Sequence, residues 1–275
     1  MPPQTSGSTA PGPERPLASY ASVAHVARVY DYLLGGKDNF AVDREAAEQA
    51  MRINPDIVST ARANRAFGIR TTSYLVSQAG IRQFLDIGTG MPTNNNIHEV
   101  AQSIAPGSRI VYVDHDPIVS THARALLTSA PEGVTDYIEA DLREPGKILA
   151  EAAQTLDFSR PVAIMLIAIL HLILDRDDPY DLVSQLVNAV APGSYVVISH
   201  AASDIDTGAM ISMTNRLNEL MAQQSVPRTH REVASFFAGL DLIEPGLVRV
   251  PEWRPASVSD SAAHAQMWGA VGRKA

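Results

Sequence analysis

Gln83-Phe84-Leu85-Asp86-Ile87-Gly88-Thr89-Gly90, positions 83–90, is a short apolar run that ends on an acid and turns through two glycines. Ile97, Val100, Ala101 and Ile104 follow at helical spacing. Strand, glycine turn and helix in that order open a βαβ unit, and the near-absence of polar alternation marks a strand covered on both faces.

The same pattern continues downstream. Arg109 to Val113 reads as a second strand ending in Asp114, a helix runs through His122 to Leu127, and a third strand lies around Tyr137-Ile138, closed by Asp141. Val162 to Ala168 is a fully apolar fourth strand, and Tyr195 to Ser199, announced by Pro192-Gly193, is a fifth. Strands alternating with helix-length segments predict an α/β domain with a mostly parallel, doubly wound sheet. Leu240 to Ile243, Leu247 to Val250 and Gln266 to Val271 supply the last strands; the first two are joined by a short connection, so an antiparallel edge is expected. Between the fifth strand and these lie a helix with Met210, Met213, Leu217, Leu220 and Met221, and another opened by a Thr229/Glu232 capping box.

Upstream, Val23, Val26, Ala27, Tyr30 and Leu34 recur at helical spacing before Gly35-Gly36, and a helical stretch from Asp43 breaks at Asn54-Pro55 and resumes to Gly80. Residues 17–80 therefore read as a helical N-terminal cap, 81–275 as the α/β domain, and 203–226 as a lid or helical insertion. Residues 1–16 are rich in Pro, Gly, Ser and Thr and read as a disordered tail without the apolar core of a secretory signal.

Composition narrows the partners. The chain has 275 residues, 45% of them hydrophobic, and a net charge of −8, which argues against a grip on nucleic acid or an anionic membrane and favours a small-molecule partner. It contains no cysteine, which removes disulfides and thiolate chemistry and fits a cytoplasmic location. The longest apolar run, 162–174, is too short to span a bilayer. His98, His200, His230 and His264 show no metal-ligand spacing, so no metal is expected. Neither a GxSxG elbow nor a GxxxxGK[ST] loop occurs.

Ligands of open α/β sheets sit beyond the carboxyl ends of the strands, so the acids and glycines there are the candidate site. Gly88 and Gly90 let the backbone approach a ligand, and Asp114 has two acceptor oxygens for the two hydroxyls of a ribose. With Asp141 after the third strand they form a three-point pattern in the right order.

Leu85-Asp86-Ile87-Gly88-Thr89-Gly90 resembles the first motif of class I S-adenosylmethionine (SAM) dependent methyltransferases, which have a Rossmann-like fold. Tyr30-Asp31-Tyr32-Leu33-Leu34-Gly35-Gly36-Lys37-Asp38-Asn39, Gly90-Met91-Pro92-Thr93-Asn94-Asn95, Tyr112-Val113-Asp114 and Pro251-Glu252-Trp253-Arg254-Pro255 together resemble the actinobacterial S-adenosyl methyltransferase family, long listed as a domain of unknown function. The resemblance implies that Asp86, Gly88 and Gly90 line the methionine end of SAM, that Asp114 holds the ribose and His115 flanks the adenine, and that Asp141 with the backbone of Leu142 reads the adenine edge. Pro92 stands where the usual loop has its third glycine, and Thr93 with the asparagines after it is the candidate replacement on the cofactor's amino-acid end.

Two positions keep two readings each. Gly36 and Lys37 either fold over the cofactor, with Lys37 facing a carboxylate, or form a helix C-cap with a solvated lysine. His171 either acts as a general base towards the acceptor or is a packed, hydrogen-bonded core residue. The leading expectation is a SAM-dependent methyltransferase acting on a small acceptor. An NAD(P)-dependent oxidoreductase and a non-catalytic SAM-binding regulator are the alternatives; the first is weakened by Pro92-Thr93 where a dinucleotide loop needs glycine or alanine.

Overall fold

The structure is a computed structural model and describes residues 22–126, 128–257 and 263–275. The expected tail, the first residues of the expected cap and Leu127 at the end of one expected helix lie outside the described residues. Helices α1 (Val26–Leu33), α2 (Ala41–Ile53) and α3 (Ile57–Ser77) precede strand β1 (Gln83–Ile87). Then come α4 (Ile97–Ile104), β2 (Arg109–Asp114), α5 (Pro117–Leu126), β3 (Val134–Glu139), α6 (Pro145–Ala152), β4 (Ala163–Ile167), α7 (Pro179–Ala189) and β5 (Tyr195–Ala201). The chain ends with α8 (Thr207–Leu220), α9 (His230–Ser235), β6 (Asp241–Leu242), β7 (Val248–Arg249) and β8 (Met267–Arg273).

One sheet in the order β3-β2-β1-β4-β5-β8-β6 carries the fold, and its first five strands are parallel. All five residues of β1 are buried because helices cover both faces. Alternation then sorts side chains by face. Leu85 and Ile87 join Val111, Val113, Ile148 and Leu186 on one side, while Phe84 joins Ile110, Met165 and Phe67 on the other. Asp86 shares the second face with Phe84, the face that α3 covers.

The antiparallel edge differs in detail from the expectation. β6 and β7 do not pair with each other; each pairs with β8, at Arg273/Gly272 and at Gly269/Trp268 respectively. With two residues apiece they need the longer β8 as a template, and β8 itself lies antiparallel to β5.

The first three helices are not one free-standing cap. The C-terminal half of α3 belongs to the sheet layer, where Phe67 and Leu75 are fully buried. Trp253 packs edge-on against Phe67 and Tyr74, and Arg70 donates to the carbonyls of Trp253 and Val250. The Pro251–Pro255 motif is thus a buttress behind α3. α1, α2 and the start of α3 form their own small core with Met221, and α8 docks on α2 through Ala50, Met210 and Met213. The segment 203–226 therefore rests on the helical half of the molecule rather than on the sheet. Among the described residues no helix is long and apolar enough to cross a membrane.

A hydrogen-bond relay fastens the helices to the strand ends. The Tyr30 hydroxyl donates to the Ala61 carbonyl and accepts from Asn64 Nδ2 at 2.9 Å; Asn64 Oδ1 accepts the Ser199 hydroxyl at 2.6 Å; and Ser199 Oγ accepts the Ala168 N–H at 3.0 Å. Ala168 sits at φ +54°, a left-handed conformation that disfavours a side chain. The relay and the Ser199 carbonyl, which also accepts from the Ala168 N–H, hold it there. Ser199→Ala leaves Asn64 Oδ1 without a donor and is expected to cost roughly 1–3 kcal/mol in denaturant unfolding, whereas Ala168→Gly should cost nothing or stabilise slightly.

Candidate active site

A cavity of about 220 Å³ opens at the carboxyl ends of β1, β2 and β4 and is roofed by α1, α2 and α8. Its floor is the turn after β1. Gly88 and Gly90 take φ of +81° and +67°, and the Gly88 N–H donates to the Val113 carbonyl, which binds the turn to β2. A Cβ on Gly88 would stand 2.6 Å from Ile169 Cγ1, so only glycine fits there.

Asp114 organises this floor. Its Oδ2 accepts the Gly90 N–H at 2.8 Å and its Oδ1 accepts the Asp116 N–H at 3.0 Å, so the carboxylate points at the glycine turn with lone pairs to spare on both oxygens. His115 lies beside it, with its Nε2 2.9 Å from Gln223 Nε2. Its Nδ1 faces Asp114 Oδ1 at 3.7 Å.

Asp86 and Arg65 form the charged end. Asp86 is buried and has no hydrogen-bond partner among the described residues; burial, reinforced by Asp114 and opposed by Arg65, raises its pKa to about 7. Arg65 reaches over from α3, and its Nη2 donates to the carbonyls of Asn94 and Asn95 and to Asn96 Oδ1. Its Nε is buried without a partner. Arg65 thereby takes over the job of shaping the turn that Pro92 leaves without its third glycine. Thr93 lines the cavity, its N–H held by Asn96 Oδ1, while Asn96 caps α4 together with Glu99.

Four residues expected at the cofactor lie outside the cavity wall. Asp141 and Leu142 do not line the cavity: Asp141 accepts from the Arg143 N–H and guanidinium, and the Leu142 side chain packs into the core. Asp141 is a turn residue, as its place at the start of a polar loop allows. Gly36 and Lys37 are likewise outside the cavity wall, and Lys37 is exposed. Gly36 is there because Asp31 packs against it, at 1.9 Å from where a Cβ would be, and Asp31 ties the loop by accepting from the Asp38 N–H and Asn39 Nδ2. Gly35, at φ +85°, follows the end of α1 in the left-handed conformation that glycine favours.

Sequence reading missed Arg65, because a single arginine within a helix carries no motif. It also missed the ion cluster that locks the helices over β2. Buried Arg28 binds Asp43 at 2.8 Å and faces Asp116 at 3.6 Å, while His25 Nδ1 lies 3.0 Å from Asp116. These partners are 15 to 91 residues apart, and no local spacing signals them.

His171 follows β4 and lines the cavity, with a buried Nδ1 that has no partner among the described residues. Burial first and the Arg228 charge second lower its pKa to about 4, so it is neutral near pH 7. Arg228 is buried behind it and donates to the carbonyls of Leu170 and Ile173, to Asp175 and to His200 Nε2. It therefore fixes the whole loop after β4.

The folded chain keeps His171 neutral down to about pH 4, whereas the unfolded chain takes up its proton near 6.5. Stability contributed by the neutral form is thus lost as pH falls through that window. Asp86, with its raised pKa, works in the opposite direction between about 4 and 7. Comparing the parent with His171→Asn isolates the histidine: unfolding free energies at pH 7 and pH 5 should show the parent losing roughly 1–2 kcal/mol more than the variant.

The profile of the S-adenosyl methyltransferase family matches residues 16–275 of this chain. Among solved structures, a DUF574 family protein from Streptomyces avermitilis is 43% identical with a TM-score of 0.90, covering 93% of this chain and 99% of its own. A protein from Thermobifida fusca assigned as a candidate methyltransferase is 39% identical with a TM-score of 0.81, covering 93% and 96%. A SAM-dependent methyltransferase from Anabaena variabilis shares the fold at 12% identity and a TM-score of 0.50, covering 73% of this chain and 80% of its own. No curated protein matches the chain. The glycine turn held by Asp114, the charged pair at Asp86 and Arg65, and the parallel sheet beneath them are features of a chain that belongs to the S-adenosyl methyltransferase family.

Proposed function

We propose that the cavity binds SAM with its amino-acid end between Asp86 and Arg65, its ribose on Asp114 and its adenine along His115, and that a small acceptor enters from beneath α8. One observation supports the placement: the buried Asp86 carboxyl makes no side-chain hydrogen bond among the described residues, and the Nε of Arg65, opposite in charge and on the same cavity wall, is buried without a partner among them. Buried charges are stable when paired, and a zwitterion with an ammonium for Asp86 and a carboxylate for Arg65 completes both. The bound cofactor supplies a methyl group on a sulfonium, which needs no metal and no covalent protein intermediate.

The chain's residues then do the positioning. Gly88 allows close approach, and the Asp114 carboxylate, already oriented by two backbone N–H groups, accepts from hydroxyls without reorganising. Gln223 brings the segment after α8 against His115, so the adenosyl side and the acceptor side share one roof. In-line displacement depends on holding the nucleophile against the methyl carbon, which the α8 side of the cavity must do.

The placement sets a pH dependence. Asp86 has to be ionised to meet an ammonium, and its pKa is about 7, so binding below that pH must expel a proton. In calorimetric titrations SAM affinity should rise roughly tenfold from pH 6 to pH 7.5. Asp86→Asn should bind more weakly and lose that slope; a flat profile in the parent would show that the ammonium is not on Asp86.

A further inference from the structure

The cavity is charged at one end only. Its Asp and Arg wall residues are Asp31, Arg65, Asp86 and Asp114, all from α1, α3 and the carboxyl ends of β1 and β2. Asp31 is already occupied by the Asp38 N–H and Asn39. On the other side α8 contributes Met210, Met213 and Leu217, with Met221 after it and Met267 from β8. No Asp, Glu, Lys or Arg from α2, α8, β8 or the loop after β4 lines the cavity.

The polar side chains at this end are nearly all committed. Thr60 Oγ1 accepts the Gln266 N–H, the Gln266 amide is shared between Asn54 and Asp206, and Thr214 donates to Met210 Sδ. Ser225 is held by Asn218 and Asn64 by the relay. Among the described residues the exceptions are His171, whose Nδ1 is buried and unpartnered, and Gln223, whose Oε1 is buried and unpartnered while its Nε2 is engaged by His115 on the adenosyl side. Arg228 is no substitute for a cavity cation, because its guanidinium is spent on Leu170, Ile173, Asp175 and His200 and does not reach the wall.

We infer that the acceptor is an uncharged aromatic molecule bearing one hydroxyl or N–H nucleophile, packed on the α8 methionines with that group hydrogen-bonded to Nδ1 of His171. The inference rests on the SAM reading above and deepens it. A carboxylate, phosphate or ammonium on the acceptor would be desolvated with nothing opposite it, a cost that excludes charged molecules of the same shape. Thioether sulfurs favour aromatic faces, and their flexible chains fit flat rings of varied outline. As the acceptor's lone pair takes the methyl carbon and the C–S electron pair stays on sulfur, the acceptor's proton passes to Nδ1 of His171. The positive charge that was on the sulfonium is then on the imidazolium, so the net charge in the cavity is the same before and after the step. Arg228 and burial disfavour that imidazolium, which returns its proton to water once the product leaves.

Binding of fluorescent probes to the protein saturated with S-adenosylhomocysteine tests this without turnover. 2-Naphthol is expected to bind saturably and at least tenfold more tightly than 2-naphthoate or 2-naphthyl phosphate. Met213→Lys, which places a cation in the apolar end, should reverse the order while S-adenosylhomocysteine still binds. His171→Phe should weaken 2-naphthol but not naphthalene. If the anionic probes bind as tightly as 2-naphthol, or none binds while S-adenosylhomocysteine does, the acceptor inference is overturned and the cofactor reading stands. If the parent does not bind S-adenosylhomocysteine, the cofactor reading falls and takes this inference with it.

Discussion

The buried relay from Tyr30 through Asn64 and Ser199 to the Ala168 backbone joins the two halves from which the site is made. Each member is matched donor to acceptor: the tyrosine hydroxyl is spent on Ala61, the amide on the tyrosine and the serine, the serine on a backbone N–H. In a low-dielectric interior such a network is strong when complete and costly when broken. Its effect is positional. It sets α1 above the ends of β4 and β5 and holds Ala168 in the left-handed turn that leads Ile169 and His171 to the cavity wall.

The rest of the architecture divides labour around that joint. At one side the Arg28, Asp43, Asp116 and His25 cluster ties the same helices to the loop after β2, so both strand ends that frame the adenosyl half are reached from above. At the other, α8 docks on α2 through methionine and alanine, and Gln223 touches His115. Charge is thereby confined to the glycine-turn end, and soft apolar surface to the α8 end. A cationic cofactor and a neutral acceptor suit that gradient, because each meets the surroundings it needs and neither must be neutralised by the other.

The central strands were legible because both sheet faces are covered, which makes β1, β2, β4 and β5 mostly apolar runs, and because acids stand at the ends of β1 and β2. Asp86, Gly88, Gly90 and Asp114 could be read from that alone. Asp141 could not be resolved from the same signal, since an acid opening a polar turn looks identical whether it faces a ligand or its own arginine, here Arg143. The family motifs mixed two kinds of constraint: Gly36 makes room for Asp31, and Trp253 supports α3 far from the cavity, yet both stand in motifs as distinctive as the glycine turn. Arg65, Asn64 and Ser199 left no trace in the sequence because their partners are 29 to 135 residues away in the chain. The antiparallel edge was legible from connection length, and in the structure β8 pairs with both short strands.

The most direct test of this account is a crystal structure of the protein grown with S-adenosylhomocysteine. The expected density places the amino-acid end between Asp86 and the Nε of Arg65, with both ribose hydroxyls on Asp114 and the sulfur facing the chamber under α8. Density for the ligand elsewhere on the molecule, or in this cavity with its carboxylate away from Arg65, would contradict it.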